Sequence, residues 1–163
     1  MARDKRDGGE HFTTMIRPTM EEPAWRALST TAQALYPWLK LEWRGPRANN
    51  NGKIRLSTRQ AAERLGNTSP STVSRAFQEL QAKGFIVMTE HARLGVEGAA
   101  CSPAFELTEL KMPASERPDG RKLYRDWRPG RDFPVHRANA NNPHGRNAHK
   151  QASGKVVRLR PKK

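Results

Sequence analysis

The chain of 163 residues has room for one domain of ordinary size plus terminal segments. Only 35% of the residues are hydrophobic, and the single cysteine, Cys101, excludes an intramolecular disulfide. The formal net charge of +14 predicts a polyanionic partner, and most of the excess follows residue 110, where 15 Lys or Arg accompany 4 Asp or Glu. No apolar stretch reaches spanning length and no signal peptide is evident, so we expect a cytoplasmic protein without membrane contact.

The first elements are a polar arm and a helix. Residues 1–22 are polar and of mixed charge, which predicts a flexible N-terminal arm. From Pro23 the apolar residues recur at helical intervals, and Ser29 is placed to cap a helix over residues 30–43. Pro37 lies inside that helix and lacks a backbone donor, so the sequence predicts either a kink or a late start.

Two further helical patterns follow, separated by a break with the sequence GNT at residues 66–68. Ser57 and Gln60 fit a capping box that begins the first of them, TRQAAERL. Ser69 caps the second, and Pro70 takes the first helical position, where its missing donor costs nothing. Two short helices joined by a tight turn are therefore predicted.

The second of these helices is predicted to end before Gly84 and is followed by strand patterns. Its apolar face has the i, i+3, i+4, i+7 spacing and consists of Val73, Ala76, Phe77 and Leu80. Strands are predicted at 54–56, 85–89 and 105–110. The last alternates apolar and polar residues, which is typical of a strand with one buried face.

These elements predict an α+β protein with one folded domain over residues 23–112. Residues 113–134 form a basic extension with several aromatic residues, which we expect to pack partly on the domain. Residues 135–163 are rich in Asn and Lys or Arg, and this composition predicts a disordered basic tail.

The order of elements over residues 24–110 resembles the winged-helix variant of the helix-turn-helix family, which has a three-helix core and a small β-hairpin wing. The residues that carry the resemblance are Ala62, Gly66, Val73, Phe77 and Leu80. More narrowly, AWRALSTTAQALYPWLKLEW, NNGKIRLSTRQAAERLG and STVSRAFQELQAKGFI look like small helix-turn-helix proteins of bacterial phages and mobile elements, some of them replication-associated. Two features depart from the pattern: Pro37, and Val73 seven residues after Gly66 where six is usual.

The resemblance implies that the helix at about residues 70–83 enters the major groove of DNA by its N-terminal part. Arg75 suits guanine, because its planar fork matches O6 and N7, and Gln78 suits adenine. The alternative for Arg75 is an ion pair with Glu79, four residues on. The predicted base-reading residues are Arg75, Gln78, Ser74, Thr72 and Ser71.

Contacts with the DNA backbone are expected from the helix N-termini, the wing and the basic extension. They are Ser57, Thr58, Arg59, Ser69, His91, Arg93, Arg121, Lys122, Arg125 and Arg128. The alternatives are that the hydroxyl groups only cap helices and that the extension only packs on the domain, with its charges in solvent. The wing tip, residues 95–100, contains no cation.

The expected function is that of a sequence-specific double-stranded DNA-binding protein, a nucleoid-associated transcriptional regulator without enzymatic activity. We expect no cofactor and no metal, because the histidines show no metal-ligand spacing with Cys101 and no phosphate-binding loop is evident. Three alternatives stay open: a replication-initiation or mobile-element accessory factor that binds an origin or element end, a non-specific nucleic-acid-binding protein, and a protein-interaction adaptor. A homodimer and a protein partner for the tail also stay open.

Overall fold

The computed structural model of the protein describes residues 11–94 and 100–137. The helices are α1 (Arg17–Glu21), α2 (Pro23–Arg26), α3 (Thr30–Leu41), α4 (Thr58–Arg64), α5 (Pro70–Ala82) and a 3-10 helix (Leu123–Arg125). The strands are β1 (Ile54–Arg55), β2 (Ile86–Glu90), β3 (Arg93–Leu94), β4 (Ala100–Cys101) and β5 (Ala104–Leu107). The first, fifth and second strands form an antiparallel sheet in the order β1-β5-β2, and β3 pairs with β4. The predicted α+β class is confirmed.

The predicted helix starts are confirmed at atomic level. The hydroxyl oxygens of Ser29, Ser57 and Ser69 each accept a hydrogen bond from the backbone amide three residues on. At α4 the Gln60 side chain also accepts from the Ser57 amide, which completes the capping box. These bonds satisfy amides that have no partner within the helix, so short polar sequences fix where the helices begin.

Helix α3 runs from Thr30 through Pro37 to Leu41, so the late start, one of the two predicted alternatives, is wrong. Proline removes one backbone hydrogen bond, but α3 buries Leu35 and Leu39 completely. Burial of one large aliphatic side chain contributes about 1.5–3 kcal/mol. The apolar face of α3 therefore outweighs the lost bond and holds the helix across the proline.

The turn between α4 and α5 leaves Val73 seven residues after Gly66, one more than the resemblance implies. Gly66 and Asn67 both have positive φ, +75° and +60°. Asn tolerates the left-handed conformation better than most residues with a side chain. The Thr68 amide donates to the Ala62 carbonyl over 3.1 Å, and its hydroxyl donates to the Leu65 carbonyl over 2.8 Å. The longer turn is therefore closed by hydrogen bonds at its far end.

An aromatic cluster lies at the centre of the core, and the extension contributes to it. Phe85 contacts Trp25 and Tyr36 edge to face, with ring centroids 5.6 and 5.3 Å apart. Tyr124 stacks on Phe85 with centroids 4.8 Å apart, and the Trp127 side chain is also buried. Aromatic pairs of this kind add about 0.5–1.5 kcal/mol each beyond area burial. Residues after the predicted domain thus complete its hydrophobic core.

Strand β5 departs from the expected pattern of one buried face, because all four of its residues are buried. Glu106 lies under the extension, and Arg121 donates to both of its carboxylate oxygens over 2.9 and 2.6 Å. Just beyond the strand, the Lys122 amide donates to the Thr108 carbonyl over 2.7 Å. The returning chain covers the face that alternation assigned to solvent.

The predicted flexible arm, 1–22, also departs from expectation over residues 11–22. It contains α1, and Thr19 is buried there. The Thr19 hydroxyl donates to Oε1 of Glu109 over 3.0 Å, a contact between residues 90 positions apart. A short helix with one buried polar anchor therefore holds this segment against the domain.

Glu109 is the centre of a buried polar network. Its Oε2 accepts from Lys40 over 2.7 Å and from the Tyr36 hydroxyl over 3.0 Å. Lys40 also donates to the Thr14 carbonyl, and the Thr19 hydroxyl lies 3.3 Å from that of Tyr124. The side chains of Lys40 and Glu109 are only 6% and 2% exposed, so their charges depend on each other and on these hydrogen bonds.

The network predicts a loss of stability in alkali. Burial, and next the charge of Glu109, raises the pKa of Tyr36 well above its ordinary value, and burial also raises the pKa of Tyr124. The unfolded chain therefore loses these protons first, and the stability present at neutral pH declines above about pH 10. We expect Tyr36 alone to contribute a slope of up to about 1.4 kcal/mol per pH unit.

Urea denaturation at several pH values between 8 and 11.5 measures that slope, with Tyr36→Phe as the matched control. The variant should show a shallower decline, since phenylalanine cannot ionise. Equal slopes for the two proteins above pH 10 would refute the assignment to Tyr36.

Candidate nucleic-acid interface

Helix α5 has one side buried in the core and the other accessible to solvent. Val73 and Leu80 are completely buried in the core, which fixes the helix on its apolar side. On the outer side Arg75 and Ser71 are exposed, and Thr72, Ser74 and Gln78 are half-buried. The five residues that the sequence assigns to base reading therefore share one accessible surface of a single helix.

Arg75 is available for an external ligand. Over residues 11–94 and 100–137 its guanidinium has no hydrogen-bond or ion-pair partner. Glu79, the partner in the alternative interpretation, instead accepts from the Ser29 amide at the start of α3 over 2.8 Å. The i, i+4 ion pair that would occupy Arg75 is not formed.

The start of α5 carries a compact group of hydroxyls. The Ser69 and Ser71 hydroxyl oxygens lie 2.7 Å apart, and the Thr72 hydroxyl donates to that of Ser69 over 3.4 Å. The first turn of a helix also has free amides and the positive end of the helix dipole. This end of a 13-residue helix offers donors of the kind that a phosphate accepts.

The start of α4 brings three predicted residues to different positions. Ser57 is used in the capping box. Thr58 and Ser74 both line a surface groove beside α5. Arg59 pairs with Glu63 over 3.4 Å, but both side chains are well exposed, so this pair contributes little to stability.

The predicted wing lies beside this groove. His91 and Arg93 are exposed where β2 gives way to β3, and Arg93 pairs with Cys101 of β4. The ring of His91 meets that of His136 edge to face, with centroids 5.8 Å apart. Of the predicted tip, residues 95–100, residues 95–99 lie outside the described part of the chain, and Ala100 begins β4.

The four cations of the extension that were predicted to contact the DNA backbone form ion pairs or hydrogen bonds within the protein. Arg121 holds Glu106, and Lys122 donates to Asp119 over 2.7 Å, which lowers the pKa of that carboxyl. Arg125 lies 3.7 Å from Glu22. Arg128 donates to the carbonyls of residues 125 and 127 over 2.9 and 2.7 Å. None of these four residues lines the groove beside α5.

Three residues at this surface were not predicted. Gln81 sits on the buried side of α5 and is 3% exposed. Its side chain pairs with the backbone of His136, which brings Arg137 to the same groove as Ser74 and Gln78. One signal was present in the sequence: a glutamine four residues after Phe77, on the apolar side, needs a partner when buried.

The groove itself runs between α5, the start of α4, the sheet and the end of the extension. Its floor is apolar and includes Phe77 and Phe105, whose rings stack 5.3 Å apart. Its rim is polar and includes Thr58, Gln78 and Arg137. None of the described residues that line it is Asp or Glu, so its rim suits an anionic partner.

No protein-family model, no curated protein and no solved structure matches this chain. In the described part of the chain, no helix is long and apolar enough to cross a membrane. Among the same residues, no group of three or more His, Cys, Asp and Glu is arranged to hold a metal ion.

Proposed function

We propose that the chain is a winged-helix protein that binds double-stranded DNA in a sequence-dependent manner and serves as a transcriptional regulator. The order α3, β1, α4, α5, β2, β5 and the antiparallel pairing of the three strands support this architecture. In this proposal α4 and α5 are the helix-turn-helix, and the β3–β4 ladder is the base of the wing.

The proposal rests on the guanidinium of Arg75, which has no partner among the described residues. It lies on the outer side of a helix whose inner side is buried in the core. With the first half of α5 in the major groove, Arg75 reads guanine and Gln78, one turn on, reads adenine. Ser69 and Ser71 then face phosphate at the helix N-terminus. Rigid placement matters because a base contact discriminates only when its geometry is fixed.

The charge distribution supports an accessory role for the tail. Residues 138–163 contain seven Lys or Arg and no Asp or Glu. Cations of this kind release counterions from any duplex, so they raise affinity without reading sequence. In the proposal α5 chooses the site and the tail adds sequence-independent affinity.

Selection of bound sequences from a random duplex pool tests the function directly. The selected duplex and a scrambled one are then titrated at several salt concentrations. We expect a preference of about 10³-fold or more at physiological salt. Binding of both duplexes within a few-fold of each other would refute sequence-dependent recognition.

Arg75→Ala should weaken binding to the selected duplex by about 1–3 kcal/mol, roughly 5- to 150-fold, and relax the preference at one base pair. Affinity for the scrambled duplex should change little, because the lost contact is specific. Arg47→Ala, at an exposed arginine in the loop after α3, is the matched control and should leave the preference intact. An equal loss on both duplexes would assign Arg75 to the DNA backbone.

A further inference from the structure

The end of the extension returns along α5 and is anchored there. The Phe133 amide donates to the Ala82 carbonyl over 2.9 Å. The amide of His136 donates to the side-chain oxygen of Gln81 over 3.0 Å, and the Gln81 side-chain nitrogen donates back to the His136 carbonyl over 3.2 Å. The Gln81 side chain thus forms two reciprocal hydrogen bonds with the backbone of the extension, as one β-strand does with another.

Additional contacts lock the base of this segment. Lys83 donates to Asp132 over 2.8 Å and lies 4.5 Å from the centre of the Trp127 ring. The Trp127 indole also donates to Asp132 over 2.7 Å, and these bonds lower the pKa of that carboxyl. A Cβ on Gly84 would lie 2.7 Å from the Phe133 ring, so the extension approaches α5 where a glycine leaves room.

The direction of the segment brings a cation to the proposed DNA surface. Contacts pass from Ala82 at Phe133 to Gln81 at His136, so the chain runs antiparallel to α5 towards its N-terminus. Arg137 is exposed and lines the groove shared with Gln78. Its neighbour His136 faces His91 at the base of the predicted wing.

We propose that residues 132–137 form a fixed arm of the DNA interface, in which Arg137 contacts the phosphate backbone between α5 and the β3–β4 ladder. The inference rests on the proposed function, and it assigns a backbone contact to a residue outside the helix-turn-helix. Phosphate is the partner that the chemistry favours, because the described residues of the groove carry no acid and the guanidinium is exposed. The seven cations of residues 138–163 follow directly from this point in the sequence.

Arg137→Ala tests the arm in the full chain, with the selected and scrambled duplexes as probes. We expect the negative slope of log affinity against log salt concentration to become shallower by about 0.9 on both duplexes. Affinity at 0.1 M salt should fall roughly tenfold on both. Arg131→Ala is the matched control: an exposed arginine of the same extension, placed before the Phe133 anchor. It should leave the slope unchanged.

Gln81→Leu keeps the buried volume but removes both bonds to His136. It should lower the salt slope as Arg137→Ala does, and the double variant should lose no more than Arg137→Ala alone, because both changes remove one contact. Circular dichroism and the thermal midpoint establish that each variant is folded. If Gln81→Leu unfolds the chain, Arg137→Ala still decides the proposal.

The possible outcomes separate the arm from the function itself. Unchanged salt slopes in Arg137→Ala, in a protein that still prefers the selected duplex, would overturn the arm and leave the proposed function standing. Tighter binding by Arg137→Ala or Gln81→Leu would also overturn it, since the segment would then obstruct DNA. No preference for any duplex in the unaltered chain would overturn the proposed function.

Discussion

Glu109→Ala should lower the free energy of unfolding by about 3–5 kcal/mol. The substitution leaves the Lys40 ammonium 6% exposed without its carboxylate. It also removes the acceptor of the Tyr36 and Thr19 hydroxyls. Since a domain of this size is stable by only about 5–15 kcal/mol in total, the loss is a large fraction, and urea or thermal denaturation measures it.

A matched control is available in the Arg55–Glu90 ion pair, whose side chains are 36% and 40% exposed. Glu90→Ala should cost less than about 1 kcal/mol, because solvent screens a pair at that depth. The double variant Lys40→Met with Glu109→Leu should lose less than Glu109→Ala, since no buried charge stays unpaired. A loss for Glu109→Ala no larger than for Glu90→Ala would show that the network does not hold the fold together.

The features that sequence predicted well are determined locally. The caps at Ser29, Ser57 and Ser69 need only residues within one turn, and the positive φ of Gly66 needs only the turn itself. The apolar face of α5 follows from helical spacing. The open side of the same helix follows as its complement, so the positions of Arg75 and Gln78 on one surface were predictable.

The features that sequence missed join distant parts of the chain. Glu106 looked like a solvent-facing residue of an alternating strand, because nothing nearby shows that Arg121 covers it. Glu109 contacts Thr19 across 90 positions and Lys40 across 69. The Asn51 side chain is buried and bonds both the amide and the carbonyl of Leu107. Local patterns carry no record of such pairings.

These pairings reduce the share of the basic charge that is available to an external partner. Arg121, Lys122 and Arg125 lie against acids within the protein, so they offer less positive field than their number suggests. Tyr124 and Trp127, in the same segment, are core residues. A cut after Leu110 would therefore remove part of the hydrophobic core together with the basic segment. A test of the tail needs a cut after residue 137.

Deletion of residues 138–163 should leave a folded protein that binds every duplex more weakly. The deletion removes seven Lys or Arg. If about half of them contact phosphate, the salt slope falls by about 3 and affinity at 0.1 M salt falls roughly 10³-fold. The ratio of affinities for the selected and scrambled duplexes should stay the same, because α5 and Arg75 are retained. Titration of both duplexes at several salt concentrations measures each quantity.

A full-length variant in which those seven residues are glutamine separates charge from chain length. Counterion release depends only on charge, so this variant should reproduce the deletion in salt slope and affinity. Combining the deletion with Arg75→Ala should give the sum of the two losses, since the sequence-reading contact and the tail act on different parts of the DNA. If the deletion abolished the preference between duplexes instead, the tail would take part in reading sequence, and the division of roles between α5 and the tail would be wrong.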